Sequence, residues 1–265
     1  MPNASLDVGT LYYRDTGPAT VAGRPTVLFI HGFCQSGVYW QAMLDAVAAA
    51  GGRGIAPDLP AFGQSREVGG PYTMAQYADV LAQVLDTLGL DRVSVVGGSM
   101  GGVVAQQFAL RHSARLERLV LVATGAFTGD PAGALKKADE LAAEPWSDEM
   151  VRKSVLAFFH TPPVESVLKQ YCAIYAIVNQ AGAVDALRSN VATNTFDRLK
   201  EIAAPTLIVQ GRHDRSRTPE RGAAMCAQLP NGRLEILEQS GHTPQIDEPE
   251  AFRDLMLPFL VGSAS

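Results

Sequence analysis

The stretch VVGGSMGG, Val95 to Gly102, decides how this chain is read, because it sets one serine among four glycines directly after small β-branched residues. Gly97, Ser99 and Gly101 make a Gly-x-Ser-x-Gly pattern, in which neighbours without Cβ atoms let backbone pass close to a serine at the apex of a strained turn. So short a pattern also arises by chance, so its surroundings have to agree. Upstream, VSVVGG reads as a buried strand; downstream, MGGVVAQQFALRH (residues 100–112) reads as a helix. The unpaired N–H groups and positive dipole end of that helix then face the serine and favour an anion there.

The chain has 265 residues, 47% hydrophobic and 18% charged, which suits one sizeable core. A net charge of −5 repels a phosphate backbone, so no nucleic-acid partner is expected. Arg212, Arg215, Arg217 and Arg221 cluster locally; recognition of an anionic substrate group is one reading, a solvated loop and helix start the preferred one. Cys34, Cys172 and Cys226 form neither a disulfide framework nor a C-x-x-C pair and fit a reducing cytoplasm. The N-terminus carries no export pattern, and no run of 18 apolar residues predicts a membrane span.

Strand-like and helix-like runs alternate, which predicts a mostly parallel sheet with helices on both faces. TVLFIHG (26–32), GIAPDLP (54–60), VSVVGG (93–98), RLVLVAT (118–124), TLIVQG (206–211) and RLEILE (233–238) are the six core strands. LDVGTLYYRDTG predicts an antiparallel hairpin at one edge of the sheet. YTMAQYADVLAQVLDTLGL is a helix, with Thr73 and Gln76 placed for a capping box and Gly89 for its C-terminal turn. Residues 125–199 carry helical patterns over 134–143, 148–159, 164–179 and 182–191 but no strand, and an insertion of this kind reads as a lid. The expected division is a core of residues 1–124 and 200–265 and a helical cap of residues 125–199.

A serine hydroxyl needs a base in hydrogen-bond reach and a carboxylate that holds the base. Among five histidines, His242 stands in a turn after the last strand and before a helix starting near Asp247, where open α/β sheets carry their sites. Asp214 sits in the loop directly after TLIVQG; Asp247 and Glu248 are rivals better read as acids at the start of the final helix. The backbone N–H groups of Phe33 and Met100 are placed to serve as oxyanion donors. His31 is expected to bond its local turn, and Cys34 to be a small buried hydrophobe.

On these residues the chain resembles the α/β-hydrolase superfamily over nearly its whole length: HGFCQSGVYW, PDLPAFGQS, GGSMGG, IVQGRHD and SGHTPQIDEPEAF occur in the family's order. The resemblance implies an α/β-hydrolase fold with a helical cap inserted after the sixth strand. It implies Ser99 as nucleophile, His242 as base, Asp214 as its orienter, and Phe33 and Met100 as oxyanion donors. Ala61 departs from the family's usual Gly, and Ser113 stands where a proline often follows. Members that hydrolyse carbon–carbon bonds of dienoic ketones often have an aromatic residue after the histidine, where this chain has Thr243. A serine at position 99 argues against dehalogenases and epoxide hydrolases, which use aspartate there. The expected activity is therefore hydrolysis of a small or medium carboxylic ester or lactone by water, with no cofactor and no metal. Trp146, Phe158, Phe159, His160 and Tyr175 of the cap are candidates to line the substrate pocket. Carbon–carbon bond hydrolysis, perhydrolysis, hydroxynitrile cleavage and cofactor-free oxygenation share this apparatus, and a small-molecule receptor is the non-enzyme alternative.

Overall fold

A computed structural model describes residues 2–261 of the chain. The six expected strands form the parallel core: β3 (Thr26–Ile30), β4 (Arg53–Pro57), β5 (Val93–Gly98), β6 (Leu116–Val122), β7 (Thr206–Gly211) and β8 (Gly232–Leu237). The hairpin β1 (Asn3–Leu6) and β2 (Gly9–Asp15) adds two antiparallel strands at the edge, giving the order β1-β2-β4-β3-β5-β6-β7-β8. Both faces of the sheet are buried, which explains the near-continuous apolar runs. Leu28, Ile30, Val95, Leu119, Leu121 and Ile208 join one core with α2 (Met74–Thr87), α3 (Met100–Arg111) and α8 (Pro219–Gln228). Val27, Phe29, Val96, Val120 and Val209 join another with α1 (Gln41–Ala49) and α10 (Pro249–Val261). Each such side chain contributes about 1.5–3 kcal/mol by leaving water.

α2 begins where its cap requires: the Gln76 N–H donates to Thr73 Oγ1 at 3.1 Å, and Gly89 takes a φ of +64° beyond its end. Four helices, α4 (Pro131–Ala143), α5 (Asp148–Leu156), α6 (Glu165–Ala176) and α7 (Gln180–Ala192), lie between β6 and β7, so the insertion follows the sixth strand. Strand ends differ from expectation by a few residues. The 26–32 run leaves the ladder after Ile30, because His31 and Gly32 turn away instead of pairing. The helix expected near Asp247 is split: a single turn, α9 (Pro244–Asp247), precedes α10.

The chain steps outward from β3 to β4 and then crosses back to β5 on the other side of β3. Such a reversal opens a crevice at the carboxyl ends of the strands. Loops after β3, β5, β6, β7 and β8 all end there. No helix among the described residues is long and apolar enough to cross a membrane.

Candidate active site

Ser99 stands between β5 and α3 with φ +52° and ψ −118°, a backbone state that L side chains seldom adopt and that costs about 1–3 kcal/mol. The surroundings hold it there. The Ser99 N–H donates to the Val122 carbonyl at 2.9 Å, and the Thr124 hydroxyl donates to the Ser99 carbonyl at 2.7 Å. The glycines are required by close approach: a Cβ on Gly97 would meet Gly101 O and Ala105 Cβ, one on Gly101 would meet the carbonyls of Ile30 and His31, and one on Gly102 the Thr124 side chain.

The three residues singled out from β5, β7 and β8 are brought together. His242 Nε2 lies 2.8 Å from Ser99 Oγ, and His242 Nδ1 lies 2.6 Å from Asp214 Oδ2. Asp214 is buried, and burial alone would raise its pKa. The hydrogen bond and charge of His242, with the N–H groups of Arg217 and Ser216, outweigh that and hold the carboxyl at about 2. An ionised carboxylate only accepts, so the imidazole proton is on Nδ1 and Nε2 is free to accept from the Ser99 hydroxyl. Ser216, which the sequence reading did not single out, donates its N–H and its hydroxyl to Asp214 Oδ1 at 2.8 and 3.0 Å. The Asp-x-Ser spacing of an Asx turn was the available signal.

Asp247 and Glu248 do not compete for His242: Asp247 ends the one-turn α9, and Glu248 stands at the start of the final helix, its carbonyl accepting from the Phe252 N–H at 2.9 Å. Asp247 Oδ2 accepts from the Gly241 N–H at 2.7 Å, and Glu248 Oε2 accepts from the Ser240 hydroxyl at 2.6 Å, so both brace the loop that carries the histidine. The inserted helices between β6 and β7 brace the same loop, because the Phe158 carbonyl accepts from the His242 N–H and the Thr243 hydroxyl, each at 3.0 Å.

The turn after β3 lies against the start of α3. Gly32 donates to the Gln35 side chain at 2.9 Å and Gln35 N–H returns to Gly32 O at 3.3 Å. Among the described residues, no acceptor takes the N–H of Phe33 or of Met100. His31 is buried; the Leu59 N–H donates to its Nε2 at 2.9 Å, and its Nδ1 donates to Gly32 O at 2.8 Å. Burial lowers its pKa, so it is a neutral structural bridge between two loops. Asp58 ties the same loops, accepting from Gly37 and Gln64 at 2.7 and 2.8 Å. Ala61 takes a φ of +75°, the left-handed state that suits the family's glycine, and its carbonyl accepts from the cap's Asn179 N–H at 2.9 Å.

Of the cap residues, Trp146 and Tyr175 pack together at 5.3 Å, and Tyr175 meets Phe33 edge-on at 6.4 Å. Phe158 faces the His242 ring at 6.1 Å. Phe159 is buried against Tyr171, which in turn covers Tyr39 at 4.2 Å. His160 is exposed and stacks on His213 at 3.8 Å; both line one cavity with Asp214 and His242. Nothing local in the sequence marks Tyr39 and Tyr171, which meet only because α6 packs over the turn before α1. The Tyr39 hydroxyl is buried without a partner among the described residues. Burial raises the Cys34 thiol well above its ordinary pKa, which leaves it an inert small apolar group.

A model of the α/β-hydrolase fold family matches residues 25–249. The chain belongs to that family. This α/β-hydrolase is 31% identical to a 2-hydroxy-6-oxononadienedioate/2-hydroxy-6-oxononatrienedioate hydrolase of Burkholderia vietnamiensis, over 94% of this chain and 90% of the relative. A hydrolase from Pseudomonas aeruginosa superposes with a TM-score of 0.88 at 27% identity, covering 98% of this chain and 97% of the other. A thermophilic esterase from Thermogutta terrifontis superposes at 0.84 with 25% identity, covering 98% of each chain.

Proposed function

We propose that this α/β-hydrolase is a serine hydrolase that cleaves a small or medium carboxylic ester or lactone through an acyl-enzyme. The observation that carries the reading is the continuous relay from Ser99 Oγ to His242 at 2.8 Å and on to Asp214 at 2.6 Å, ending on a serine at the head of a helix. Ser99 Oγ attacks the carbonyl carbon as His242 Nε2 takes its proton. The N–H groups of Phe33 and Met100 receive the negative oxygen, and Asp214 stabilises the imidazolium. His242 returns the proton to the leaving alkoxide; in a lactone that group stays tethered to the acyl chain. Water, deprotonated by His242, then releases the acid and restores Ser99. The apolar rings of Tyr175 and Trp146 packed behind Phe33, whose N–H is an oxyanion donor in this reading, support an apolar acyl or alkyl group. Unpaired Cys34, Cys172 and Cys226 support a cytoplasmic setting.

Carbon–carbon bond hydrolysis is the second reading, favoured by the name of the Burkholderia relative. Thr243 weighs against it, since its hydroxyl is spent on the Phe158 carbonyl and no aromatic ring follows the histidine. The test is time-resolved mass spectrometry with p-nitrophenyl esters, aliphatic lactones and a dienoic 1,5-diketone, run beside Ser99→Ala. Ester or lactone turnover with a transient acyl mass on the Ser99 peptide, lost at least about 10³-fold in Ser99→Ala, supports the first reading. Turnover of the diketone alone supports the second.

A further inference from the structure

The four arginines clustered after β7 do not share one environment. Arg212 is exposed and pairs with Glu238 at 2.6 Å, and Arg215 is exposed. Arg217 and Arg221 instead turn onto the segment leaving β6. A Cβ on Gly125 would sit 3.4 Å from Arg217 Cδ, and one on Gly129 would strike the Arg221 guanidinium, which lies over the Phe127 ring at 5.9 Å. Gly125 follows Thr124, whose hydroxyl holds the Ser99 carbonyl; the Arg217 N–H donates to Asp214 Oδ1, and both guanidinium groups approach the Ser216 carbonyl two residues beyond Asp214.

Several arginines elsewhere have acids, Arg53 pairing with Asp15, Arg111 with Asp79, Arg152 with Glu165 and Arg188 with Asp139, while Arg14, Arg92 and Arg118 bond an amide, a carbonyl and a ring face instead. Among the described residues neither Arg217 nor Arg221 has an acid. Arg217 Nε is buried without an acceptor, and the Ser216 carbonyl accepts only at 3.5 Å from Arg217 Nη1 and 3.4 Å from Arg221 Nη1. Asp214 is occupied by His242, Ser216 and the Arg217 backbone N–H. Burial, with the like charge of Arg221, lowers the Arg217 pKa. Two neighbouring cations, one with a buried unmet donor, are costly alone and are relieved by an anion that spans them.

We propose that Arg217 and Arg221 form an anion subsite beside the triad, so that the molecule turned over carries a carboxylate in addition to its reacting carbonyl. The proposal rests on the serine-hydrolase reading for its chemistry. Guanidinium forks take a planar carboxylate in two parallel N–H···O bonds. In a chain of net charge −5 the attraction is local to this pair.

The experiment follows labelling of Ser99 by a neutral alkyl fluorophosphonate, read as the mass of the Ser99 peptide, with glutarate or its uncharged analogue glutaramide present. Glutarate is expected to slow labelling about tenfold at saturation, glutaramide not to, and added salt to weaken the protection. In Arg217→Met and in Arg221→Met the glutarate concentration for half-protection should rise at least about tenfold. Arg221 is partly exposed on α8, so its variant tests the idea even if Arg217→Met does not fold. Equal protection by both compounds, none by glutarate, or unchanged protection in a folded variant overturns the subsite. Ser99 that fails to label with no diacid present overturns the hydrolase reading instead, and the subsite's role with it.

Discussion

Asp214→Asn exchanges one oxygen for an amide nitrogen and is expected to lower kcat by about four orders of magnitude. The two carboxylate oxygens differ in their partners. Oδ1 accepts from the Ser216 N–H at 2.8 Å, the Ser216 hydroxyl at 3.0 Å and the Arg217 N–H at 2.9 Å, whereas Oδ2, among the described residues, accepts only from His242. An asparagine must keep its oxygen on the first side, because an NH2 there would face two N–H donors. Its NH2 therefore points at His242 and donates to Nδ1. The imidazole proton moves to Nε2, which then has no lone pair for the Ser99 hydroxyl. A 10⁴-fold loss corresponds to about 5.5 kcal/mol of activation free energy. Stability should fall by no more than about 2 kcal/mol, since the three donors to Oδ1 stay satisfied. The assay is kcat on the ester the wild type turns over fastest, with nitrogen NMR of His242 to locate its proton. A kcat within tenfold of wild type, or a proton still on Nδ1 in the variant, refutes the reasoning.

Ser99→Gly should abolish turnover yet raise Tm by about 2–4 °C, since relief of the φ +52° strain is worth about 1 kcal/mol; calorimetry showing a lower Tm would count against stored strain at the turn. Gly101→Ala drives a Cβ into the carbonyls of Ile30 and His31 and should cost about 3 kcal/mol or more, read from urea unfolding. The Asp214 carboxyl, held at about 2 when folded, contributes stability that is complete above its unfolded value near 3.8 and is lost as pH falls through the folded one. Between pH 5 and pH 2 the wild type should lose about 2 kcal/mol that Asp214→Asn does not lose; equal acid sensitivity in the two proteins would remove the ion pair as its cause.

Much of the fold was legible because burial on two faces writes itself into composition. TVLFI, VSVV and LVLV have no polar alternation, as strands covered by helices on both sides require. Thr73 and Gly89 announced the limits of α2 by local chemistry alone. TVLFIHG reads as a strand ending in a turn, and pairing fixes where the turn begins: the ladder to β5 ends at Ile30 opposite Gly97, so His31 and Gly32 belong to the turn.

Sequence alone determined the order of strands and helices, the turn that needs glycine around Ser99, and the placement of Ser99, Asp214 and His242 in loops after β5, β7 and β8. Those are local properties, set by period, backbone freedom and turn chemistry within a few residues. Only the tertiary structure decided which acid meets His242, because Asp247 and Glu248 are nearer along the chain but spend their oxygens on Gly241 and Ser240. Likewise, only packing separated Arg217 and Arg221 from Arg212. A charge is neutralised by what folds opposite it, and for Arg212 that is Glu238 on the neighbouring strand end, whereas Arg217 and Arg221 face the backbone of Gly125 and Gly129.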